Sequence, residues 1–328
     1  MNRKHLSMEE REVIMIQLHL GYSLRHIAAQ LGRTPSTVSR ELRRNGAAGG
    51  YRAHRAHGQA MARRSRPRRE RLMSNGRLRR YVDGKLRAYW SPEQISQRLK
   101  IDSPDDPSMR ICYETIYRFI LTEAGNGVDY GPYLRQGHRR NSYGWRGKSR
   151  FRRIRGRRRI EERPAEVEGR ERLGDWESDS VRGCAKSPVG IATHVERSTR
   201  YLVAARLADR KADTYNQATI KAFGEQPLLP IHTMTVDNGM EFSKFSWLEK
   251  RLGTTLYFAT PYHAWERGSN ENTNGLLRQF FPKGTDFSGV HPRELQQAVR
   301  LLNNRPRKCL GYRTPAETMR EQLVALRD

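Results

Sequence analysis

Apolar positions follow two rhythms along this chain, and the change between them divides it. In the first 137 residues apolar side chains recur at helical spacing, whereas from residue 173 onward runs that alternate apolar and polar positions are interleaved with helical ones. Residues 8–19 predict a first helix, with Glu9 and Glu10 in its first turn, where the helix dipole favours acids, and Gly21 after its end. Ser23 suits the cap of a second helix, Leu24–Gln30, whose Leu24, Ile27, Ala28 and Leu31 share one face. Gly32 permits a tight turn, and Pro35 suits the first turn of a third helix, Pro35–Arg44. Ala28, Gly32 and Val38 fall where a helix-turn-helix needs a small residue, a turn residue and a residue packed between its helices. Burying Val38 and Leu42 turns Ser36, Thr37, Ser39, Arg40 and Arg43 outward beside Arg44, all residue types that contact DNA. The plainer alternative is an amphipathic helix pair with a solvated basic face.

A second helical segment is predicted over 86–137. Ser91-Pro92-Glu93-Gln94 has the form of a capping box ahead of Ile95 and Leu99, a loop rich in Asp and Pro covers 102–107, and Thr115–Ile120 is helical in pattern. This is a second helix-turn-helix-like domain with a long turn, or a small helical bundle. Residues 51–85 form a basic helical linker between it and the first domain, 1–50. Residues 138–164 hold a run of arginines with no periodicity. They are expected to be a tether that orders on phosphates, with Tyr143, Trp145 and Phe151 available for stacking. His54 and His57 have no cysteine pair at a spacing that would complete a zinc site.

Behind the tether the pattern predicts strands at 173–183, 189–195 and 201–207, a helix at 213–223, a strand at 232–236, a helix at 243–252 and a strand at 254–258. Further helices start at about Glu266 and at Pro292. That order describes an α/β catalytic domain, 165–328, with a mixed sheet of the ribonuclease-H type, preceded by all-α DNA-binding units.

Charge sharpens the division. The 328 residues carry a formal net charge of +27, which implies a polyanionic partner. Residues 1–160 hold 37 Lys and Arg against 13 acids, whereas residues 161–328 hold 25 against 22. A histone-like basic protein would explain the front but not the back. Cys112, Cys184 and Cys309 form no C-x-x-C pair and read as reduced thiols, and no apolar stretch approaches membrane-spanning length. A cytoplasmic, nucleoid-associated protein is expected.

Candidate chemistry lies in the back half. Asp237 ends an apolar run in Thr-Val-Asp-Asn-Gly-Met-Glu-Phe (235–242), and Glu271 lies in a turn that opens into a helix. A strand-end Asp and a helix Glu can converge on a hard cation such as Mg²⁺, with Mn²⁺ able to substitute, the ions of phosphoryl transfer on nucleic acid. Asp175, Glu177 and Asp179 alternate along one strand, so spacing alone does not choose a first-strand partner. On the helix, Arg267, Glu271, Asn274 and Arg278 form one polar stripe that would suit metal and phosphate, whereas Glu266 is more simply a first-turn acid.

The strings Gly-Asp-Trp-Glu-Ser-Asp (174–179), Val-Asp-Asn-Gly-Met-Glu-Phe (236–242), the block 261–283 around Asn-Glu-Asn, and Leu-Asn-Asn-Arg-Pro-Arg (302–307) resemble the Asp-Asp-Glu transposases of bacterial insertion sequences. The resemblance is to the insertion-sequence-thirty family, within the retroviral integrase superfamily, and spans nearly the whole chain. It implies that Asp179, Asp237 and Glu271 are the catalytic, metal-holding carboxylates. Ser178 departs from the pattern, which has glycine there. The implied function is a DNA transposase that binds terminal inverted repeats, cleaves the ends and joins their 3′-hydroxyls to target DNA by two-metal chemistry. The expected partners are double-stranded DNA and further copies of the chain, with neither a membrane nor a small-molecule substrate. A DNA-binding regulator, or a nuclease of the same fold without strand transfer, are the alternatives.

Overall fold

The computed structural model describes residues 5–46, 49–65, 71–135, 154–185, 187–261 and 263–326. The chain divides into two compact units, Met1–Ser74 and Asn75–Asp328. The first is all-helical: α1 (Met8–His19), α2 (Leu24–Gln30), α3 (Pro35–Asn45), α4 (Ala53–Ser65) and the short α5 (Arg71–Ser74). Local chemistry sets its helix starts. Ser7 and Glu10 close a capping box on α1, the Ser23 hydroxyl accepts from the His26 N–H at the start of α2, and Pro35 opens α3. Ile14, Ile27, Ala28 and Val38 are fully buried at the centre, as a helix-turn-helix requires. Arg11 of α1 donates to Glu41 of α3 at 2.7 Å, and the Tyr51 hydroxyl donates to the same carboxylate at 3.1 Å.

The second unit begins with α6 (Gly76–Arg87), α7 (Pro92–Asp102) and α8 (Tyr113–Gly125). The capping box at Ser91 and Gln94 is formed, and α7 packs on both neighbours, burying Leu78, Val82, Ile95, Leu99 and Ile116. These helices share a unit with the sheet that follows. Gln94 donates to the Pro306 carbonyl at 2.7 Å, and Arg98 donates to Glu317 at 2.5 Å.

Next come β1 (Arg158–Arg159), α9 (Glu166–Gly169), β2 (Asp175–Arg182), β3 (Gly190–Glu196), β4 (Leu202–Leu207), α10 (Ala212–Gly224), β5 (Thr233–Val236), α11 (Phe245–Leu252), β6 (Thr255–Phe258), α12 (Gly268–Leu277), α13 (Pro292–Asn303) and α14 (Pro315–Ala325). The described strands form one mixed sheet in the order β1-β6-β5-β2-β3-β4. β2, β3 and β4 pair antiparallel, and β1, β6, β5 and β2 pair parallel. α10 and α11 cover one face around Trp176, Phe223 and Phe242; α12 and α13 cover the other around Leu277, Phe287 and Leu302. This is the ribonuclease-H-like, integrase-type fold. No described helix is long and apolar enough to cross a membrane.

Two elements were not legible as such. The pair Arg158–Arg159, within the run expected as a tether, lies beside Tyr257 and Phe258 and makes the sheet edge. An edge of two arginines discourages further strand pairing. Most of the tether, including Tyr143, Trp145 and Phe151, lies outside the described residues. The final helix, α14, starts at a capping box of Thr314 and Glu317.

Candidate active site

The alternation of β2 puts Trp176 and Ser178 on one face and Asp175, Glu177 and Asp179 on the other. The Trp176 indole N–H donates to the Pro230 carbonyl at 2.9 Å, and Ser178 Oγ lies 2.8 Å from Nδ1 of the buried His194. The three acids then differ in their partners. Asp175 accepts from Arg172 at 2.8 Å and from the Thr233 hydroxyl at 2.7 Å. Glu177 is fully buried, pairs with Arg197 at 2.7 Å and accepts the Asn270 N–H at 2.9 Å. Asp179 keeps 22% of its side chain exposed and accepts from the Asn274 amide at 3.1 Å.

Strand register brings in Asp237. β2 and β5 run parallel with Asp175 opposite Thr233 and Glu177 opposite Thr235. Continuing that register by two residues sets Asp179 beside Asp237, on strands separated by roughly 4.8 Å. The Gly239 N–H donates to Asp237 at 2.8 Å and turns the chain sharply. A side chain at 239 would start 2.5 Å from a Glu241 oxygen and 2.9 Å from an Asp237 oxygen, so it would push both carboxylates out of their present positions. Glu241 folds back under the pair and accepts from the Ser180 hydroxyl at 2.5 Å.

α12 crosses over these acids. Arg267 at its start reaches Asp179 at 3.3 Å and Asp237 at 3.6 Å. Burial, with Asp237 and Glu241 adding like charge, pushes the Asp179 carboxyl up to about 6 despite Arg267. Glu271 is exposed and lies between Arg267 and Asn274 in the helical stripe. The structure therefore gathers Asp179, Asp237, Glu241, Arg267 and Asn274, with Glu271 left facing solvent. Among the described residues no three acids, histidines or cysteines are gathered closely enough to hold a metal ion. Arg278 donates to the Arg182 carbonyl at 2.6 Å, and Glu266 accepts the Thr260 N–H at 2.7 Å, holding the turn ahead of α12. Arg267, Asn274 and Arg278, expected as DNA contacts, are thus all engaged within the protein. On α3, Ser36, Ser39, Arg40, Arg43 and Arg44 are exposed, and Thr37 is half-buried with its hydroxyl 3.0 Å from that of Thr34.

Known proteins resemble this chain along nearly its whole length. A helix-turn-helix domain family matches residues 2–45. The chain is 38% identical to transposase InsI of insertion sequence element IS30A from Escherichia coli (strain K12), over 99% of this chain and 85% of that protein. It is 38% identical to the transposase of IS4351 from Bacteroides fragilis, over 97% and 96% of the two chains, and 37% identical to that of IS1086 from Cupriavidus metallidurans, over 98% and 96%. The chain belongs to the IS30-family transposases. As an IS30-family transposase it is a polynucleotidyl transferase with a helix-turn-helix unit for DNA. Among solved structures, the catalytic core domain of BIV integrase is 20% identical with a TM-score of 0.39, covering 48% of this chain and 100% of that one. The fold of this IS30-family member rests on its sheet order, not on that likeness.

Glu241 and the buried arginines had no assigned role in the sequence. Glu241 sits four residues past Asp237 in the same short string, a signal that was present but ambiguous. Arg163, Arg197, Arg305 and Arg307 are all nearly buried, which no local pattern foretells.

Proposed function

We propose that this transposase moves an insertion sequence by cleaving DNA at the element's terminal inverted repeats and joining the freed 3′-hydroxyls to target DNA, with Asp179, Asp237 and Glu271 as its catalytic carboxylates. The supporting observation is that Asp179 and Asp237 lie on adjacent parallel strands, close enough for one guanidinium to reach both. The residue types suit a divalent cation, with the two aspartates brought together and Glu271 still turned to solvent. Their donor atoms are all carboxylate oxygens, the hard donors such an ion prefers, and burial has raised the Asp179 carboxyl, with Asp237 and Glu241 adding like charge. A bound Mg²⁺, or Mn²⁺ in its place, would polarise the scissile phosphodiester and ease ionisation of the attacking hydroxyl.

The chain's own residues supply the rest. Glu271, one helical turn beyond Arg267 and without a hydrogen-bond or ion-pair partner among the described residues, can swing toward the two aspartates and complete the ligand set. Arg267 is the side chain placed to exchange carboxylate for phosphate as DNA arrives. Water oxygen attacks phosphorus at the transposon end, and the 3′ oxygen leaves and takes up a proton. That 3′-hydroxyl then attacks a target phosphodiester and displaces the target's own 3′ oxygen. No protein–DNA bond forms, so no serine or tyrosine nucleophile is required. The exposed face of α3 reads the ends, and concerted joining of two ends calls for two or more copies of the chain.

The test uses the full chain, duplexes that carry the element's ends, and Mg²⁺ or Mn²⁺. Nicking at the ends and joining of pre-cut ends to a second duplex are expected. Binding without nicking would identify a regulator and sink the proposal. Nicking without joining would identify a nuclease.

A further inference from the structure

α12 presents a second face to a cavity. By helical spacing, Ser269 and Thr273 project from the side opposite Arg267, Glu271 and Asn274. There they line a cavity of about 210 Å³ together with Arg170, Arg200, Arg307 and Cys309. Among the described residues no carboxylate lines it. We propose that this cavity is an anion site that holds one backbone phosphate of DNA, away from the reacting carboxylates; the assignment of DNA as the ligand rests on the function proposed above.

The arginines explain the assignment. Arg307 is 8% exposed and spends one guanidinium nitrogen on the Leu302 carbonyl at 3.1 Å, but its buried Nε has no partner. A buried donor without an acceptor is costly, and it leaves the Arg307 charge beside the cavity without a carboxylate to balance it. Arg170 and Arg200 make no ion pair among the described residues, although acids are plentiful on the neighbouring strands. Arg200 donates to the Ser269 hydroxyl, aligning that hydroxyl at the cavity wall. Both arginines adopt left-handed backbone, with φ of 58° at Arg170 and 62° at Arg200. Non-glycine residues in that region persist where the surrounding fold enforces them, and such positions cluster at ligand clamps.

Electrostatics agree. Burial, opposed only by Cys309 and reinforced by Arg135 and Arg200, draws Arg307 down to about 10. Burial and the neighbouring Arg200 and Arg197 also lower Arg170. Cations that repel one another around a cavity are stabilised by an anion. The first turn of the ten-residue α12 adds its positive dipole end at Gly268 and Ser269. Guanidinium forks, a hydroxyl and a helix start together match a tetrahedral phosphate. The cavity is too small for a base pair, so the backbone is the part of DNA that enters.

The experiment uses the full chain with Arg170→Gln and Arg200→Gln, since Arg170 is exposed and makes no hydrogen bond among the described residues. Affinity for duplex DNA is measured across a salt series. Each variant should lower the slope of log K against log salt by about 0.9, the signature of one lost phosphate contact. Cys309 gives a local readout: duplex should slow its alkylation several-fold in the wild type and far less in the double variant. An unchanged salt slope, with Cys309 alkylated equally fast with and without duplex, overturns the proposal. Protection of Cys309 by inorganic phosphate but not by duplex also overturns it, since the ligand is then a free anion. An acidic peptide that protects Cys309 where duplex does not overturns it in favour of a protein partner. Cleavage by the wild type is scored in the same preparation. Its failure removes the transposition reading, while the salt slope still reports on the pocket.

Discussion

The two units use arginine in opposite ways. In the helix-turn-helix unit, Arg40, Arg43 and Arg44 line the exposed face of α3, and Arg11 is the exception, buried against Glu41. In the sheet unit, Arg163, Arg197, Arg305 and Arg307 are at most 8% exposed, and Arg267 is turned onto two aspartates. Among the described residues, Arg163 and Arg197 pair with acids inside the fold, whereas Arg305 and Arg307 reach only amide and carbonyl oxygens. A surface arginine gives affinity for any polyanion. A buried one positions a neighbour, or waits for a ligand.

Removing the acids tests the sheet unit most severely. Asp237→Ala or Asp179→Ala should slow single-turnover strand cleavage at least about 1000-fold, ~4 kcal/mol in barrier height, while duplex affinity is not weakened. Cleavage that survives Asp237→Ala would mean the acids serve only to anchor Arg267.

Breaking a buried pair should cost stability instead. Arg197→Met strands Glu177 in the core and should destabilise the unit by about 3–5 kcal/mol, read from a denaturant midpoint. Adding Glu177→Leu should recover most of that loss. If the single variant melts like the wild type, the pair is better solvated than its burial implies.

A smaller effect depends on pH. Burial draws His194 down to about 3, far below an ordinary histidine. Between those two values the unfolded chain binds a proton that the folded chain does not, so stability falls as pH drops from about 6.5 toward about 3. Thermal melting across that window should flatten in His194→Gln. An unchanged profile would assign the loss to other groups.

On α3 the expected change is smallest. Arg40→Ala and Arg43→Ala should each lower the salt slope of duplex binding by about 0.9 without moving the melting temperature. A loss of stability comparable to that of Arg197→Met would erase the contrast between the units.

Helix starts and strand spans were legible because their causes are local. Ser23, Pro35 and Ser91 act within one turn of themselves, and α1 and α2 run as their periodicity predicts. The alternation of Asp175, Glu177 and Asp179 placed all three on one face, and went no further. Which of them stands beside Asp237 depends on the β2–β5 register, a contact between residues 58 apart in sequence. The edge pair Arg158–Arg159 carries no apolar signal, because backbone pairing with β6 and an ion pair from Arg158 to Glu249 hold it in place.

The sequence by itself determined the order of elements, the excess of cations and the three strings that carry the acids, since each is written in adjacent residues. Only the tertiary structure decided that Glu177 is neutralised by Arg197 while Asp179 meets Arg267, and that Arg170, Arg200 and Arg307 converge on one cavity. Burial and pairing are set by chain segments far apart in sequence, and they determine whether a charge supports the fold or remains available to a ligand.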